Sequence, residues 1–222
     1  MTERPGRYVL PFADRRAAGR LLAERLTETL DLDQWTERTV VLGLPRGGVA
    51  VAREVASVMR LPMNVIVTRK IGYPPQPELG VGAIAEGLRQ PVYDAVLIDR
   101  LGLAPEDLAE VVAAEEAELD RRVRIYRGGS PLPPVAGWCA IVVDDGLATG
   151  STARAALRSL RAARAAHLVL AAPVAPRPAA ESMRAEADQV VILATPSRFS
   201  SVGECYLAFG QLTDADVLAL LS

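Results

Sequence analysis

The segment Ile141-Val142-Val143-Asp144-Asp145-Gly146-Leu147-Ala148-Thr149-Gly150-Ser151-Thr152 sets two acids at the end of an apolar run. Three hydroxyl residues follow, gathered around a glycine. The β-branched run reads as a buried strand, and the small residues read as a turn that opens a helix. The first N–H groups of a helix have no intrahelical partner and sit at the positive end of its dipole, which suits a phosphate dianion. Gly150 lets the backbone approach closely, and Thr149, Ser151 and Thr152 add donors. Asp144 and Asp145 repel phosphate but can accept hydrogen bonds from vicinal hydroxyls, as on a ribose. A phosphate site beside a diol site describes a sugar phosphate.

Two other phosphate chemistries do not match. A Walker A loop requires a Lys after its last glycine, and Ser151 follows Gly150. A haloacid-type phosphatase uses alternate aspartates, whereas Asp144 and Asp145 are adjacent and point in different directions. A plain helix cap with two solvated acids would not need the apolar strand or the paired carboxylates.

The segment resembles the phosphoribosyl-diphosphate motif of type I phosphoribosyltransferases, in which apolar residues lead to two acids and then Thr-Gly-x-Thr. The likeness is greatest to the adenine and orotate branches, which also carry a small residue before Thr-Gly. In the hypoxanthine–guanine branch that position is an Asp acting as general base; here it is Ala148. The resemblance implies that Asp144 and Asp145 hold the ribose of 5-phosphoribosyl 1-diphosphate (PRPP), and that Ala148, Thr149, Gly150, Ser151 and Thr152 hold its 5′-phosphate. Gly43-Leu44-Pro45-Arg46-Gly47-Gly48 resembles the pyrophosphate loop of the family, with Arg46, Gly47 and Gly48 as the binding residues. Arg69-Lys70-Ile71-Gly72 occupies the place of the family's mobile loop, where a basic residue meets the charge developing on pyrophosphate. Lys70 is the first candidate for that catalytic role and Arg69 the second. Phe199, after the last strand, is the candidate for stacking on a flat acceptor. Glu78 and Glu86 read as solvated or catalytic, with solvation favoured, and His167 reads as structural.

The resemblance further implies transfer of phosphoribosyl from PRPP to a nitrogen acceptor such as a nucleobase, with release of pyrophosphate. Mg²⁺ is expected to be held mainly through PRPP, with no protein metal site. The alternative is a PRPP-binding regulator that kept the fold. A homodimer is left open.

These loops need a scaffold. Thr39–Leu44, Met63–Thr68, Val92–Ile98, Cys139–Val143, His167–Ala172 and Gln189–Leu193 read as strands. Helices are expected from Asp14 to about Leu30 with Ala17, Leu21, Leu22 and Leu26 on one face, and from Gly48 to about Met59. Others are expected over Pro105–Tyr126, Ser151–Arg164, Pro178–Ala187 and Asp214–Leu221. Arg69–Gly82 and Arg127–Gly137, rich in Gly and Pro, read as loops. Alternating strands and helices predict an α/β fold, a mostly parallel sheet flanked by helices, with ligands beyond the carboxyl ends of its strands. One phosphoribosyltransferase-like domain is expected over 1–222. Its core would span about 39–194, and its hood would come from the N-terminal segment, about 195–212, or both.

The 222 residues carry a net charge of −2, which gives no general attraction to nucleic acid or anionic membrane. No apolar run approaches the ~20 residues that a spanning helix needs. Met1–Arg7 is charged without an apolar run behind it, so no secretory leader is expected. Cys139 and Cys205 have no metal-ligand spacing and read as reduced thiols of a cytoplasmic protein.

Overall fold

In the computed structural model, residues 8–32, 35 and 37–222 are described. The expectation for Met1–Arg7 lies outside these residues. Five strands, β1 (Thr39–Gly43), β2 (Met63–Val65), β6 (Cys139–Val143), β7 (His167–Val174) and β8 (Gln189–Ala194), form a parallel sheet in the order β2-β1-β6-β7-β8. β1 and β6 are buried along their whole length, as the continuous apolar runs require of a sheet covered on both faces.

Strand alternation divides the core. Val41, Ile141, Val143 and Val169 meet α1 (Arg15–Thr29) and α2 (Gly47–Met59) through Leu22, Leu26, Val51 and Val55. Leu42, Val142, Leu168 and Leu170 meet α5 (Ser151–Ala162) and α6 (Arg177–Met183) through Leu157, Leu160 and Met183. Asp14 caps α1 by accepting from Ala17 N at 2.7 Å. The fully buried stripe of α1 is Ala18, Leu22 and Leu26, and Ala17 and Leu21 lie at its margin.

The expected loop Arg69–Gly82 is a correction. It folds as a hairpin of β3 (Thr68–Tyr73) and β4 (Gln76–Ala85), and β5 (Val92–Tyr93) completes a separate antiparallel sheet. Ladder irregularities at Ile71/Gly72 and Gly72/Tyr73 accommodate the glycines and prolines. The pairing is driven from outside the segment: Ile71, Val81 and Ile84 bury against Leu108, Leu119 and Tyr126. The last two belong to α4 (Ala109–Arg127), which follows a 3-10 turn at Pro105–Leu108 and so starts later than expected. The strand expected over Val92–Ile98 stops at Tyr93. Asp94 then accepts from Leu97 N at 3.1 Å and caps α3 (Ala95–Leu101). The chain ends in α7 (Asp214–Leu221), capped by Thr213.

A small hood joins the segment before α1 to the segment after β8. Phe12 N donates to Cys205 O, and Leu207 N donates back to Phe12 O, both at 2.8 Å. Phe12, Ala18, Val174, Cys205 and Tyr206 form its buried cluster, with Phe199, Val202 and Phe209 packed against it. Among the described residues no helix is long and apolar enough to cross a membrane.

Candidate functional site

Gly43 of β1 pairs in register with Val143 of β6, and Leu44 N donates to Val143 O at 2.9 Å. The turn at Pro45–Gly48 and the turn at Asp144–Thr152 therefore leave adjacent strands side by side at their carboxyl ends. They touch where two residues lack side chains. A side-chain carbon at position 47 would lie 1.8 Å from Asp145 Oδ2. One at position 48 would lie 2.6 Å from Val143 O and 2.8 Å from Asp144 Cα. Even small side chains would displace the acids at either position, so the glycines serve close approach. The Pro45–Arg46 peptide in this turn is cis.

The acids are deeply set. Asp144 Oδ1 accepts from Asp145 N at 2.9 Å, and Asp145 Oδ2 accepts from Arg15 Nε at 2.7 Å. Burial, followed by the charge of Asp145, holds the Asp144 carboxyl well above the usual carboxylate range. Burial also raises Asp145, with the Arg15 guanidinium opposing the rise. The two acids compete for negative charge, and among the described residues Arg15 is the cation bonded to the pair.

Beyond the acids, Gly150 occupies the cap position of α5 at φ +77°, a left-handed conformation that glycine adopts without strain. Gly150 has no side chain to cap the helix, and the Thr149 hydroxyl accepts from Ser151 N at a long 3.4 Å. Thr149 Oγ1 and Ser151 Oγ lie 2.9 Å apart and hydrogen-bond each other. Ala148 and Thr149 are exposed and Ser151 is buried. Apart from that long Ser151 N contact, the first backbone donors of α5 meet no capping side chain, and an anion would use them.

Several candidates are placed elsewhere. Lys70 is exposed on β3, with Nζ donating to Glu78 O at 3.0 Å. Arg69 Nε pairs with Glu115 of α4 at 2.6 Å. Both stand on the hairpin rather than on a loop, which corrects the setting in which they were expected. Phe199 packs against the hood cluster. Glu86 is buried and bound by Arg127, whose Nη1 lies 2.8 Å from Oε1, while Val67 N donates to the same oxygen at 2.7 Å; this is a structural pair. His167 stacks on Trp35 with ring centres 5.8 Å apart, as a structural histidine would. Arg46 is half-buried, and its positive charge reaches Tyr126, whose phenol burial pushes up to about 12. A cleft of about 660 Å³ between β4, α4 and α5 includes none of the sugar-phosphate candidates in its lining.

Arg15, Tyr206 and Phe209 went unread in the sequence. The Tyr206 hydroxyl donates to the Asp145 carbonyl. The Arg15 guanidinium lies 3.8 Å over the Phe209 ring, and Phe209 stacks on Tyr206 with centres 5.0 Å apart. One anomaly was readable: Arg15 opens a helix, where the dipole disfavours a cation.

The family model for the phosphoribosyl transferase domain matches residues 15–207. The chain belongs to the phosphoribosyl transferase domain family. Two Mycobacterium tuberculosis proteins, from strains CDC 1551 / Oshkosh and H37Rv and provisionally named phosphoribosyl transferases, are each 44% identical to it over 211 residues. The alignment takes in 95% of this chain and 46% of theirs, so the chain spans about half the length of these curated relatives. The crystal structure of TT1426 from Thermus thermophilus superposes with a TM-score of 0.76 at 39% identity, covering 96% of this chain and 98% of that one. The AQ2163 protein from Aquifex aeolicus, with a TM-score of 0.51 and 13% identity, covers 94% of this chain and 86% of its own and shares the fold. The parallel sheet flanked by helices is therefore a phosphoribosyl transferase fold.

Proposed function

We propose that this phosphoribosyl transferase domain moves the 5-phosphoribosyl group of PRPP to a nitrogen acceptor, of which a nucleobase is the favoured class, and releases pyrophosphate. The observation that carries the reading is the contact between the glycine turn and the acid pair, directly beside a helix start whose cap position is Gly150. In this reading Thr149–Thr152 and the start of α5 take the 5′-phosphate. Asp144 and Asp145 accept from the ribose hydroxyls. Arg46, Gly47 and Gly48 take the pyrophosphate, Arg46 through charge-assisted hydrogen bonds.

The bond from C1 to the pyrophosphate oxygen breaks as the bond to the acceptor nitrogen forms, the bonding electrons leave with pyrophosphate, and the acceptor's proton passes to water. Positive charge grows on the ribose ring and negative charge on the leaving group, so stabilising pyrophosphate matters more than activating the acceptor. Lys70 is assigned that task because it is exposed, whereas Arg69 is held by Glu115 and stands second. Ala148 offers no base at its position. Mg²⁺ in this reading would be held mainly through PRPP and would supply charge neutralisation at the pyrophosphate. Phe199 remains the candidate acceptor contact only if an acceptor reaches the hood.

The test is incubation with PRPP, Mg²⁺ and a panel of bases, reading pyrophosphate. Base-dependent release is expected. Tight PRPP binding with no release on any base would favour a regulator, and absence of PRPP binding would remove the site assignment.

A further inference from the structure

Arg15 is one of three arginines on the outer end of α1, and the other two are already engaged. Glu54 of α2 takes Arg16 Nε and Arg20 Nε, each at 3.0 Å. Arg15 turns the other way and makes three contacts of different kinds. Its Nε donates to Asp145 Oδ2 at 2.7 Å, its Nη1 donates to Gly210 O at 2.8 Å, and its guanidinium plane covers Phe209 at 3.8 Å. Its side chain is 11% exposed and that of Asp145 is 14% exposed, so water screens the pair little.

Two of these contacts belong to the hood and the third to the ribose acids. The hood grips the same acid a second time, through the Tyr206 hydroxyl on the Asp145 carbonyl. On its remaining side the Asp145 carboxylate faces Gly47, where no side chain could fit. The carboxylate is thus wedged between the glycine turn and a guanidinium mounted on the hood.

Resting on the proposed PRPP site, we infer that Arg15 is a positioning residue: it clamps Asp145 from the hood and thereby sets ribose affinity without itself touching the sugar.

Among the described residues, these groups face the clamp. Asp144 and Asp145 come from the β6 turn. Tyr206 and Cys205 come from the hood, and burial raises both, so neither ionises near neutral pH. Among the described residues, Arg15 is the cation in contact with Asp145, and its charge opposes proton uptake there. Without it, burial acts on Asp145 unopposed, the acid takes its proton at higher pH, and a protonated acid loses half of its capacity as a diol acceptor. Arg15→Lys keeps the charge but not the planar fork, so it separates charge from aim.

The experiment is PRPP titration calorimetry with Mg²⁺ on the whole chain, from pH 6 to 8.5, for the wild type, Arg15→Gln and Arg15→Lys. Arg15→Gln should weaken PRPP by about tenfold to a hundredfold, the usual loss when the partner orienting a binding group is removed. The loss should deepen as pH falls. Arg15→Lys should restore the wild-type pH dependence with affinity between the other two. Arg15→Gln that folds and binds PRPP like the wild type at every pH overturns the clamp. A loss that is the same at all pH values and unrelieved by Lys also overturns it, leaving a merely structural strut. A folded wild type that does not bind PRPP overturns the ribose site itself, and the clamp with it.

Discussion

Glu86 and the Asp144–Asp145 pair are carboxylates removed from water, and the protein treats them in opposite ways. Glu86 receives a two-pronged Arg127 and a backbone N–H from Val67, and Arg127 is further held by the carbonyls of Val65 and Ser130. Both Glu86 oxygens and all three Arg127 nitrogens are engaged. Asp144 and Asp145 are two acids sharing one guanidinium, and burial pushes both carboxyls upward. A buried charge that is fully countered holds a fold together, whereas one left short of partners is poised for a ligand that supplies them. The vicinal hydroxyls of a ribose, with a cation on the attached pyrophosphate, would do so.

That contrast can be broken most directly at the acids. Asp144→Ala with Asp145→Ala removes the diol acceptors, and hydrogen bonds to charged groups contribute about 1.5–3 kcal/mol each. PRPP binding should then fall below calorimetric detection while the protein stays folded. Equal affinity in the double variant would end the ribose assignment. Next in size is Glu86→Ala, which strands Arg127 in the interior and should cost about 3–5 kcal/mol in urea unfolding. If Glu86→Ala were tolerated as well as a change at Asp144, the distinction between the two carboxylate sites would be lost.

Lys70→Ala sharpens the comparison from a third position, an exposed cation bound to a carbonyl. It should slow turnover by roughly a hundredfold, about 3 kcal/mol, with PRPP affinity little changed. Steady-state kinetics beside calorimetry would separate the two, and unchanged turnover would pass the role to Arg69. The smallest effect concerns the stability of the ligand-free protein. Because the folded-state pKa of Asp144 is raised, its contribution to stability is present in acid and is lost as pH rises through that raised value. Asp144→Asn should therefore stabilise the chain at neutral pH by about 1 kcal/mol, or about 2–4 °C in Tm, while weakening PRPP binding. The gain should shrink as the buffer is made acidic; a gain that grew in acid would contradict the charge balance described here.

The central strands and the acid-to-hydroxyl turn were legible because their signals are local. Five consecutive apolar residues must be buried, and Asp144, Asp145 and Thr149–Thr152 lie within one turn of each other along the chain. The hairpin was not legible. Gly72, Pro74, Pro75 and Pro77 speak for a loop, and they are overruled by Ile71, Val81 and Ile84 packing on a helix that begins only at Ala109. Val92–Ile98 misled in the converse way, since its apolar run suits a strand while the Asp94 side chain caps a helix.

By itself, then, the sequence determined what one stretch of chain can present: a strand that delivers two acids, a glycine turn and a helix start able to receive an anion. What stands across from those groups was decided by the tertiary structure. Arg15 lies 130 positions from Asp145 and Tyr206 lies 61 from it, and Gly47 meets the same carboxylate from a neighbouring strand end. Such contacts arise from strand register and from the closure of the hood over the sheet. No local propensity encodes them, because the free energy that forms them is the burial of side chains distant in sequence from both partners.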